Sequence, residues 1–304
     1  MSFTIANAEK NTLSQKEKEN NYTIDDYKTD INNENDSHSI IARNALGSKR
    51  ILDVGCGVGY IGRALKEVGD YNIEGVDIDK TALKYAAEHY NKVTEMKLGD
   101  QSDAAYNTFA KSKKTYDCII CADIIEHLAD PGYIISILAK KLTPGGKILV
   151  SIPNISHIDV IANLIDERFN YAETGILDNT HLRFWTESSF YDFVKNINDR
   201  YGTTLSPKLI GKTIVEHPFI DTRQFRQICG DDIFTFQNIF ELKNEKHPKI
   251  PHLNKKNNYH DILVVLEKGF ATDTKDQIIR DMQNSFSWKI TKPIRKVGSL
   301  LHRR

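Results

Sequence analysis

Short apolar runs alternate with amphipathic stretches between residues 49 and 152. Runs that are apolar nearly throughout are typical of parallel strands covered on both faces, whereas apolar positions three and four residues apart are typical of helices. The predicted strands span residues 50–54, 72–76, 93–98, 116–121 and 147–152. The predicted helices span residues 60–68, 80–89 and 131–141, with a helix or loop over 102–113. This alternation predicts an α/β domain with a central, mostly parallel sheet and helices on both faces.

The pattern changes outside this stretch and divides the chain further. Residues 1–35 are polar and predict a disordered extension, and the domain itself is expected to span 36–268. Within it, a helix over 37–46 precedes the first strand, and a small inserted cap of about 153–187 follows the fifth. A helix over 188–200 and strands over 209–215 and 261–267 come next, whereas 219–258 give no readable pattern. Residues 269–304 predict a basic amphipathic tail.

The first predicted strand ends in a glycine-rich loop that leads directly into a helix. Gly55, Gly57 and Gly59 alternate there, and Tyr60 stands where the dinucleotide fingerprint G-x-G-x-x-G has its last glycine. Glycines let the backbone approach a ligand closely, and the helix start offers free N–H groups. Asp53, in the strand end, would repel a pyrophosphate but not a cationic ligand. The loop therefore predicts a site for a nucleotide-type cofactor with a positive charge; a structural turn and an NAD site are the alternatives.

The sequence LDVGCGVG resembles motif I of the class I S-adenosylmethionine (SAM)-dependent methyltransferases. The resemblance implies a Rossmann-like class I methyltransferase fold and SAM as the cofactor. It also implies that the methionine end of SAM is contacted by the glycine loop and by the exit of the fourth strand. The residues placed there are Asp53, Gly55, Cys56, Gly57, Gly59, Cys121 and Asp123.

Acidic residues follow the second and third predicted strands. Asp77 lies about twenty residues after the glycine loop, where a carboxylate with two acceptor oxygens suits a ribose diol. Ile78 would cover the adenine, and Asp79 is predicted to N-cap the next helix. Asp100, with Gln101 beside it, resembles the adenine-amine acceptor of the family, although a turn Asp is the alternative.

The exit of the fourth strand, ADIIEHLADP, resembles the corresponding loop of small-molecule methyltransferases, including the ubiquinone-type O-methyltransferases. It lacks the Pro-Pro-aromatic tetrapeptide of the enzymes that methylate amino groups of nucleic acids. The chain also has equal numbers of basic and acidic residues, 41 each, so nucleic acid is not expected as a partner. His127 in this loop is predicted to cap the helix over 131–141 rather than to catalyse.

The segments SIPNISH and GILDNTHLRFWT resemble a methyltransferase subfamily of O-antigen and surface-polysaccharide gene clusters. The resemblance implies O-methylation of a sugar or glycan intermediate. Histidine titrates near neutrality, so His181 is the favoured general base and His157 the second candidate. Arg183 would share a face with His181 in an extended segment and anchor the substrate. Structural roles for both histidines, and pairing of Arg183 with Asp178 or Glu187, are the alternatives.

Other hypotheses for the chain are a methyltransferase for a quinone-type acceptor, an NAD-binding oxidoreductase and a catalytically silent SAM-binding partner. No ligand spacing calls for a metal, so none is expected. The C-x-x-C of Cys118 and Cys121 lies in a predicted strand, where the two thiols point to opposite faces and are expected in the core. The sequence shows no signal peptide or membrane-spanning run, which predicts a cytoplasmic protein. The basic tail predicts contact with a membrane surface or with a partner in glycan assembly.

Overall fold

The computed structural model describes residues 29–165, 167–215 and 230–253. Within these ranges the chain forms seven α-helices and seven strands. The strands are β1 (Arg50–Val54), β2 (Asn72–Asp77), β3 (Lys92–Glu95), β4 (Tyr116–Ala122), β5 (Leu142–Pro153), β6 (Leu205–Ile214) and β7 (Thr235–Asn244). The helices are α1 (Ser37–Ala45), α2 (Tyr60–Val68), α3 (Lys80–Ala86), α4 (Ala104–Lys111), α5 (Pro131–Ala139), α6 (Ile158–Ile165) and α7 (Glu187–Tyr201).

All seven strands form one sheet in the order β3-β2-β1-β4-β5-β7-β6. The first five are parallel to one another, and β7 pairs antiparallel with both β5 and β6. The predicted α/β class and the Rossmann-like methyltransferase fold are therefore confirmed. The carboxyl ends of β1, β2 and β4 meet at one edge of the sheet, where ligands bind in open α/β folds.

The sheet is covered on both faces, as its apolar strands predict. Leu52 and Ile119 point into one buried cluster, which α5 and α7 close with side chains such as Ile135 and Phe190. Ile51 and Ile120, one residue away on each strand, point into a second cluster, which α1 and α2 close. Cys118 and Cys121 are divided between the two clusters, as predicted for core residues.

Strand β7 lies in the stretch whose sequence pattern could not be read. Its burial does not alternate cleanly, because Ile239 lies in one of the two buried clusters and Phe240 in the other, so both faces of the strand are covered. The strand predicted over 261–267 lies outside the described residues, as do residues 1–28 and the predicted basic tail over 269–304. Strand β5 begins five residues earlier than predicted, at Leu142, because residues 143–146 bulge out of the strand between its pairings with Tyr116 and Cys118 of β4.

The end of the predicted polar extension is part of the domain. The Asn35 amide brackets the last residue of β6: its Nδ2 donates to the Ile214 carbonyl at 2.9 Å and its Oδ1 accepts from the Ile214 N–H at 2.5 Å. Arg43 of α1 donates to the carbonyls of Ile31 and Asn33. Residues 29–35 are therefore fixed against the sheet, and the boundary predicted at residue 35 falls too late.

The segment between β5 and α7 forms the predicted cap. It contains α6 and an irregular stretch that returns to the sheet, where Asn154 bridges Trp185. The N–H groups of Leu182 and Arg183 both donate to the carbonyl of Glu126, at 2.8 and 3.1 Å. These bonds attach the cap to the exit of β4. None of the helices in the described ranges combines the length and the apolar composition that a bilayer-spanning segment requires.

Candidate functional site

The glycine loop after β1 is shaped by backbone angles that only glycine adopts without strain. Gly55, Gly57 and Gly59 have φ values of 73°, 51° and 93°. A side chain at Gly55 would also collide with Ile124, because a Cβ there would lie 2.8 Å from that side chain. The N–H of Gly55 donates to the Val76 carbonyl at 2.8 Å, so the loop folds over the end of β2.

Asp77 at the end of β2 is held in place by this loop. Its Oδ2 accepts from the Gly57 N–H and its Oδ1 from the Asp79 N–H, both at 2.8 Å. A carboxylate has about four acceptor positions, so two bonds leave capacity for a ribose diol. Asp79 caps α3 as predicted, since its Oδ1 accepts from the N–H groups of Thr81 and Ala82.

A pocket of about 610 Å³ opens beside Asp77, within the range of small-molecule sites. Ile78 is 62% exposed and presents an apolar face to it, and the backbone at Gly55 forms part of its wall. Residues of the β4 exit and of α5 complete the opposite wall, among them Ile124, His127, Leu128, Tyr133 and Ile134. A fixed acceptor for a diol, an apolar face and a side-chain-free loop fit the adenosine part of SAM.

Asp100 forms the turn that was weighed as its alternative role, at the wall of the pocket. It lines the pocket, yet its Oδ1 accepts from the N–H and the hydroxyl of Ser102 in a turn. These bonds, with help from Lys97, lower the pKa of Asp100 to about 2 and keep it ionised. Gln101 is turned outward: its side chain is exposed and its carbonyl accepts from Asn107.

Asp53 does not face the cofactor pocket, contrary to prediction. It is only 2% exposed, and its Oδ2 accepts from the Tyr90 hydroxyl at 2.5 Å. The same hydroxyl accepts from the Gly62 N–H, so Tyr90 joins β1 to α2. Burial raises the pKa of Asp53 to about 7; the Tyr90 bond opposes this change and the charge of Asp77 adds to it. Asp53 therefore stabilises the glycine loop from the protein interior, through its bond to Tyr90.

Tyr90 also fills the space in front of three glycines. A Cβ on Gly59 or Gly75 would lie 2.8 or 3.0 Å from its ring, and one on Gly62 would be closer still. Cys56 has a buried thiol against Gly75 and contributes backbone rather than a side chain to the loop. The Cys121 thiol is likewise buried, in the core on β4. Burial raises the pKa of both thiols, so neither is a thiolate.

Asp123 at the exit of β4 has a positive φ of 49°, which is uncommon for a residue with a side chain. Its Oδ1 accepts from the Ser151 hydroxyl at 2.7 Å and from Nε2 of Gln237 at 2.8 Å. Strained backbone of this kind concentrates at functional sites. Gln237 escaped the sequence analysis because it lies on the unread strand β7.

His157 is a structural residue, not a candidate base. It is 1% exposed, its Nε2 lies 3.2 Å from the Val215 carbonyl, and its Nδ1 accepts from the Asp159 N–H. Its ring packs edge-on against Phe236. Both ring nitrogens are therefore engaged where the cap meets the sheet, which is the alternative that the sequence left open.

Arg183 is directed away from His181. Its guanidinium donates to the carbonyls of Ala129 and Leu182, and it lines a separate pocket with Trp185 and Arg200. The prediction that Arg183 and His181 share a face is wrong, because the cap is not a regular strand here. Arg183 fastens the cap to the loop before α5.

His127 and His181 instead form a pair at the pocket wall. Their ring centroids are 4.7 Å apart and nearly perpendicular. The Nδ1 of His181 lies 2.9 Å from the Ile176 carbonyl, and that of His127 lies 3.0 Å from the Thr180 hydroxyl. His127 lines the pocket; His181 is 8% exposed behind it. The predicted capping role of His127 is wrong, since Asp130 caps α5 through the Tyr133 N–H.

Glu126 lies beside this pair and was not singled out by the sequence analysis. Its side chain is fully buried, and neither carboxylate oxygen has a hydrogen-bond partner among the described residues. Burial, reinforced by the charge of Asp123, raises its pKa well above the usual range. Burial and the neighbouring His181 lower the pKa of His127. One potential ligand atom from each of Glu126, His127 and His181 lies within 4.8 Å of the others.

Comparison with known proteins gives one matching family and a set of relatives that match over a shorter stretch of the chain. A family described as a methyltransferase domain matches residues 27–198, more than half of the chain. The ubiquinone biosynthesis O-methyltransferase of Idiomarina loihiensis is 37% identical over 113 residues, 36% of this chain and 44% of that protein. The protein of the same description from Hydrogenovibrio crunogenus is 34% identical over 110 residues, 36% of this chain and 45% of its own. The match thus spans less than half the length of these relatives.

Solved structures resemble the described fold more distantly. A SAM-dependent methyltransferase from Archaeoglobus fulgidus is 16% identical, with a TM-score of 0.46 over 68% of this chain and 95% of that one. Magnesium protoporphyrin IX methyltransferase from Synechocystis, with bound SAM, is also 16% identical, with a TM-score of 0.40 over 68% and 74% of the two chains.

Proposed function

Because this chain belongs to the methyltransferase-domain family, we propose that it methylates a hydroxyl group of a small acceptor molecule. The cofactor is SAM, which supplies a methyl group bonded to a positively charged sulfur. The observation that carries the proposal is Asp77, fixed by the Gly57 N–H at the mouth of an adenosine-sized pocket. Charge-assisted hydrogen bonds of the kind that Asp77 would offer a ribose contribute about 1.5–3 kcal/mol each.

Methyl transfer depends mainly on alignment, and the chain supplies rigid elements for it. Asp77 and Ile78 would orient the nucleoside, while the backbone of the glycine loop and of Asp123 would orient the methionine end. Asp123 is itself held by Ser151 and Gln237 on two further strands. The methyl-bearing end would therefore lie between the glycine loop and the β4 exit, where His127 lines the same pocket.

An acceptor hydroxyl becomes a good nucleophile only when its proton leaves. The residues available for this task are His127 and His181, because histidine is the side chain whose ordinary pKa suits a base near neutrality. His181 was favoured as the base from sequence; His127 has the more direct access to the pocket. We assign activation of the acceptor to the pair, with Glu126 behind it.

The acceptor that we favour is a phenol of the quinone type. The relatives are described as ubiquinone biosynthesis O-methyltransferases, and the pocket wall near His127 carries the apolar or aromatic side chains of Leu128 and Tyr133. On the cap, Phe169 and Tyr171 are exposed, with their rings 5.7 Å apart. An aromatic acceptor would stack on such side chains.

A sugar or glycan intermediate is the second candidate acceptor. It rests on the resemblance of the cap sequence around His181 to the surface-polysaccharide subfamily, and neither the matched family nor the relatives named above are of that kind. A hydroxyl on a sugar is less acidic than a phenol, so a sugar acceptor would depend more strongly on the histidine pair.

The test is methyl transfer from SAM labelled in the methyl group. We expect label in a catechol-type phenol, such as 3,4-dihydroxybenzoate or a prenylated derivative, and S-adenosylhomocysteine in equal amount. Label in nucleotide sugars or lipid-linked glycan precursors instead would identify the sugar acceptor. Calorimetric binding of SAM without transfer to any of these would indicate a silent SAM-binding protein, and binding of NAD but not SAM would overturn the proposal.

A further inference from the structure

The Glu126 carboxylate is an exception to the way polar groups are buried in this protein. A buried carboxylate is normally paired or hydrogen-bonded, because an unpartnered one costs several kcal/mol of solvation. Glu126 is 0% exposed, yet both of its oxygens lack a hydrogen-bond partner within the described ranges. Its position is fixed by its own carbonyl, which accepts the N–H groups of Leu182 and Arg183 from the cap. Keeping this carboxylate in place therefore costs the folded protein free energy of solvation.

In both histidines beside Glu126, Nε2 is the ring nitrogen that remains available to bind a ligand. The Nδ1 of His181 faces the Ile176 carbonyl, which only accepts, so that nitrogen carries the proton. Thr180 donates its hydroxyl proton to Asp178 at 2.5 Å, so its oxygen accepts from Nδ1 of His127. Both Nε2 atoms are then left with a lone pair. A metal-binding histidine commonly donates its other N–H to a carbonyl or hydroxyl in this way.

We propose that Glu126, His127 and His181 bind a divalent transition-metal ion, and that this ion activates the acceptor hydroxyl. Two imidazoles and one carboxylate are a known ligand set for ions such as Zn²⁺ and Fe²⁺, and three protein ligands leave positions for an acceptor. Atoms bound to one ion at about 2.0–2.2 Å lie about 3–4 Å apart. The ligand atoms here are within 4.8 Å of one another, so small side-chain rotations bring them together.

The role in catalysis rests on the proposed function. A divalent ion lowers the pKa of a hydroxyl beside it, so the acceptor would lose its proton to solvent. The acceptor oxygen then forms a bond to the methyl carbon, the carbon–sulfur bond breaks, and its electron pair remains on sulfur. The histidines would act as ligands instead of bases. This also explains a carboxylate behind them, since it offsets one of the two positive charges of the ion.

Metal binding is tested on the full chain after treatment with EDTA. Titration with ZnCl₂ should show one tight site per chain, and Co²⁺ should give visible absorption bands of bound metal. Glu126→Gln, His127→Gln and His181→Gln should each weaken the site more than about 100-fold, because even residues behind the ligands change affinity 10–100-fold. His89→Gln and Glu88→Gln, just after the end of α3, are matched controls and should bind as the wild type does.

Stability gives a readout that needs no activity. Without metal and at neutral pH, Glu126→Gln should melt at a higher temperature than the wild type, because it removes the free energy cost of burying a carboxyl group that is ionised in the unfolded chain. With Zn²⁺ the wild type should gain stability and this variant should not. No uptake by the wild type, or equal uptake by the wild type and all three variants, would overturn the site; the latter outcome would indicate adventitious binding to surface histidines.

Activity then separates this inference from the proposed function. Methyl transfer at the wild-type rate in EDTA would overturn the catalytic role of the ion while leaving the methyltransferase intact. Zn²⁺ binding that depends on Glu126, in a chain that does not bind SAM, would keep the metal site and overturn the proposed function.

Discussion

The two ends of the pocket are built in opposite ways. At the glycine loop, the carboxylates of Asp53 and Asp77 are held by Tyr90 and by backbone N–H groups. At the β4 exit, the carboxylate of Glu126 is buried without such partners beside two histidines. The first end is complete within the protein, whereas the second leaves ligand atoms free. The glycine-loop end is thus preorganised by its own hydrogen bonds, whereas the β4-exit end, on our proposal, is completed by what it binds.

Removing His181 should give the largest change in rate. We expect His181→Gln to bind SAM normally but to slow methyl transfer by about 10²–10⁴-fold, whether the residue is a base or holds an ion that replaces one. Single-turnover rates with calorimetry of SAM binding measure both quantities. A rate within a few fold of the wild type would move activation of the acceptor to His127 alone.

The buried acid beneath the glycine loop should act on stability. The pKa of Asp53 is raised from 3.8 to about 7 in the folded chain, so its folded form holds a proton that the unfolded form releases. The contribution of this proton to the free energy of unfolding is full below about pH 4 and is lost as the pH rises to about 7.

Asp53→Asn should therefore stabilise the chain relative to the wild type at pH 8 more than at pH 4, by up to about 4 kcal/mol, since one pKa unit corresponds to about 1.4 kcal/mol. Urea denaturation at the two pH values measures the effect. An equal effect at both would mean that Asp53 is ionised throughout.

Asp77→Asn tests the fixed acceptor at the cofactor end. The amide keeps the shape of the side chain but loses charge and one acceptor group, so SAM affinity should fall about 10–100-fold. Calorimetric titration with SAM and with S-adenosylhomocysteine measures it. Asp79→Asn is the matched control, because its side chain caps α3 and should change affinity little. Unchanged affinity in Asp77→Asn would place the ribose elsewhere.

The smallest effect is expected at the structural histidine. His157→Gln should cost about 1–2 kcal/mol of stability through the bond to the Val215 carbonyl, and leave the rate per folded molecule unchanged. Thermal melting and turnover, compared with His181→Gln, separate a packing role from a chemical one. A loss of rate without a loss of stability would restore His157 as a candidate base.

Local patterns predicted which residues form the glycine loop and where Asp77 lies. The glycine spacing and the position of Asp77 after β2 are set by neighbours in sequence, and the structure joins them through the bond from Gly57 to Asp77. The direction of Asp53 was not predictable, because it depends on Tyr90, which reaches it across 37 positions.

The acceptor end required contacts between distant parts of the chain. Glu126 and His127 are neighbours, but His181 joins them only because the cap binds the Glu126 carbonyl, and no spacing in the sequence carries that information. Arg183 was misplaced for the same reason: an irregular cap segment does not alternate its side chains as a strand does. Strand β7 was missed because both of its faces are buried, with Ile239 in one apolar cluster and Phe240 in the other.

The ring of Tyr90 also bears on how this chain can evolve. It stands where a side chain at position 59, 62 or 75 would have to go, so all three glycines are required by volume, and Gly59 by its backbone angle as well. A smaller residue at position 90 would make room for an alanine at position 62. The double variant should therefore lose less stability than the sum of the losses in the two single variants. If the two positions are coupled in this way, positions 62 and 90 should covary in related sequences.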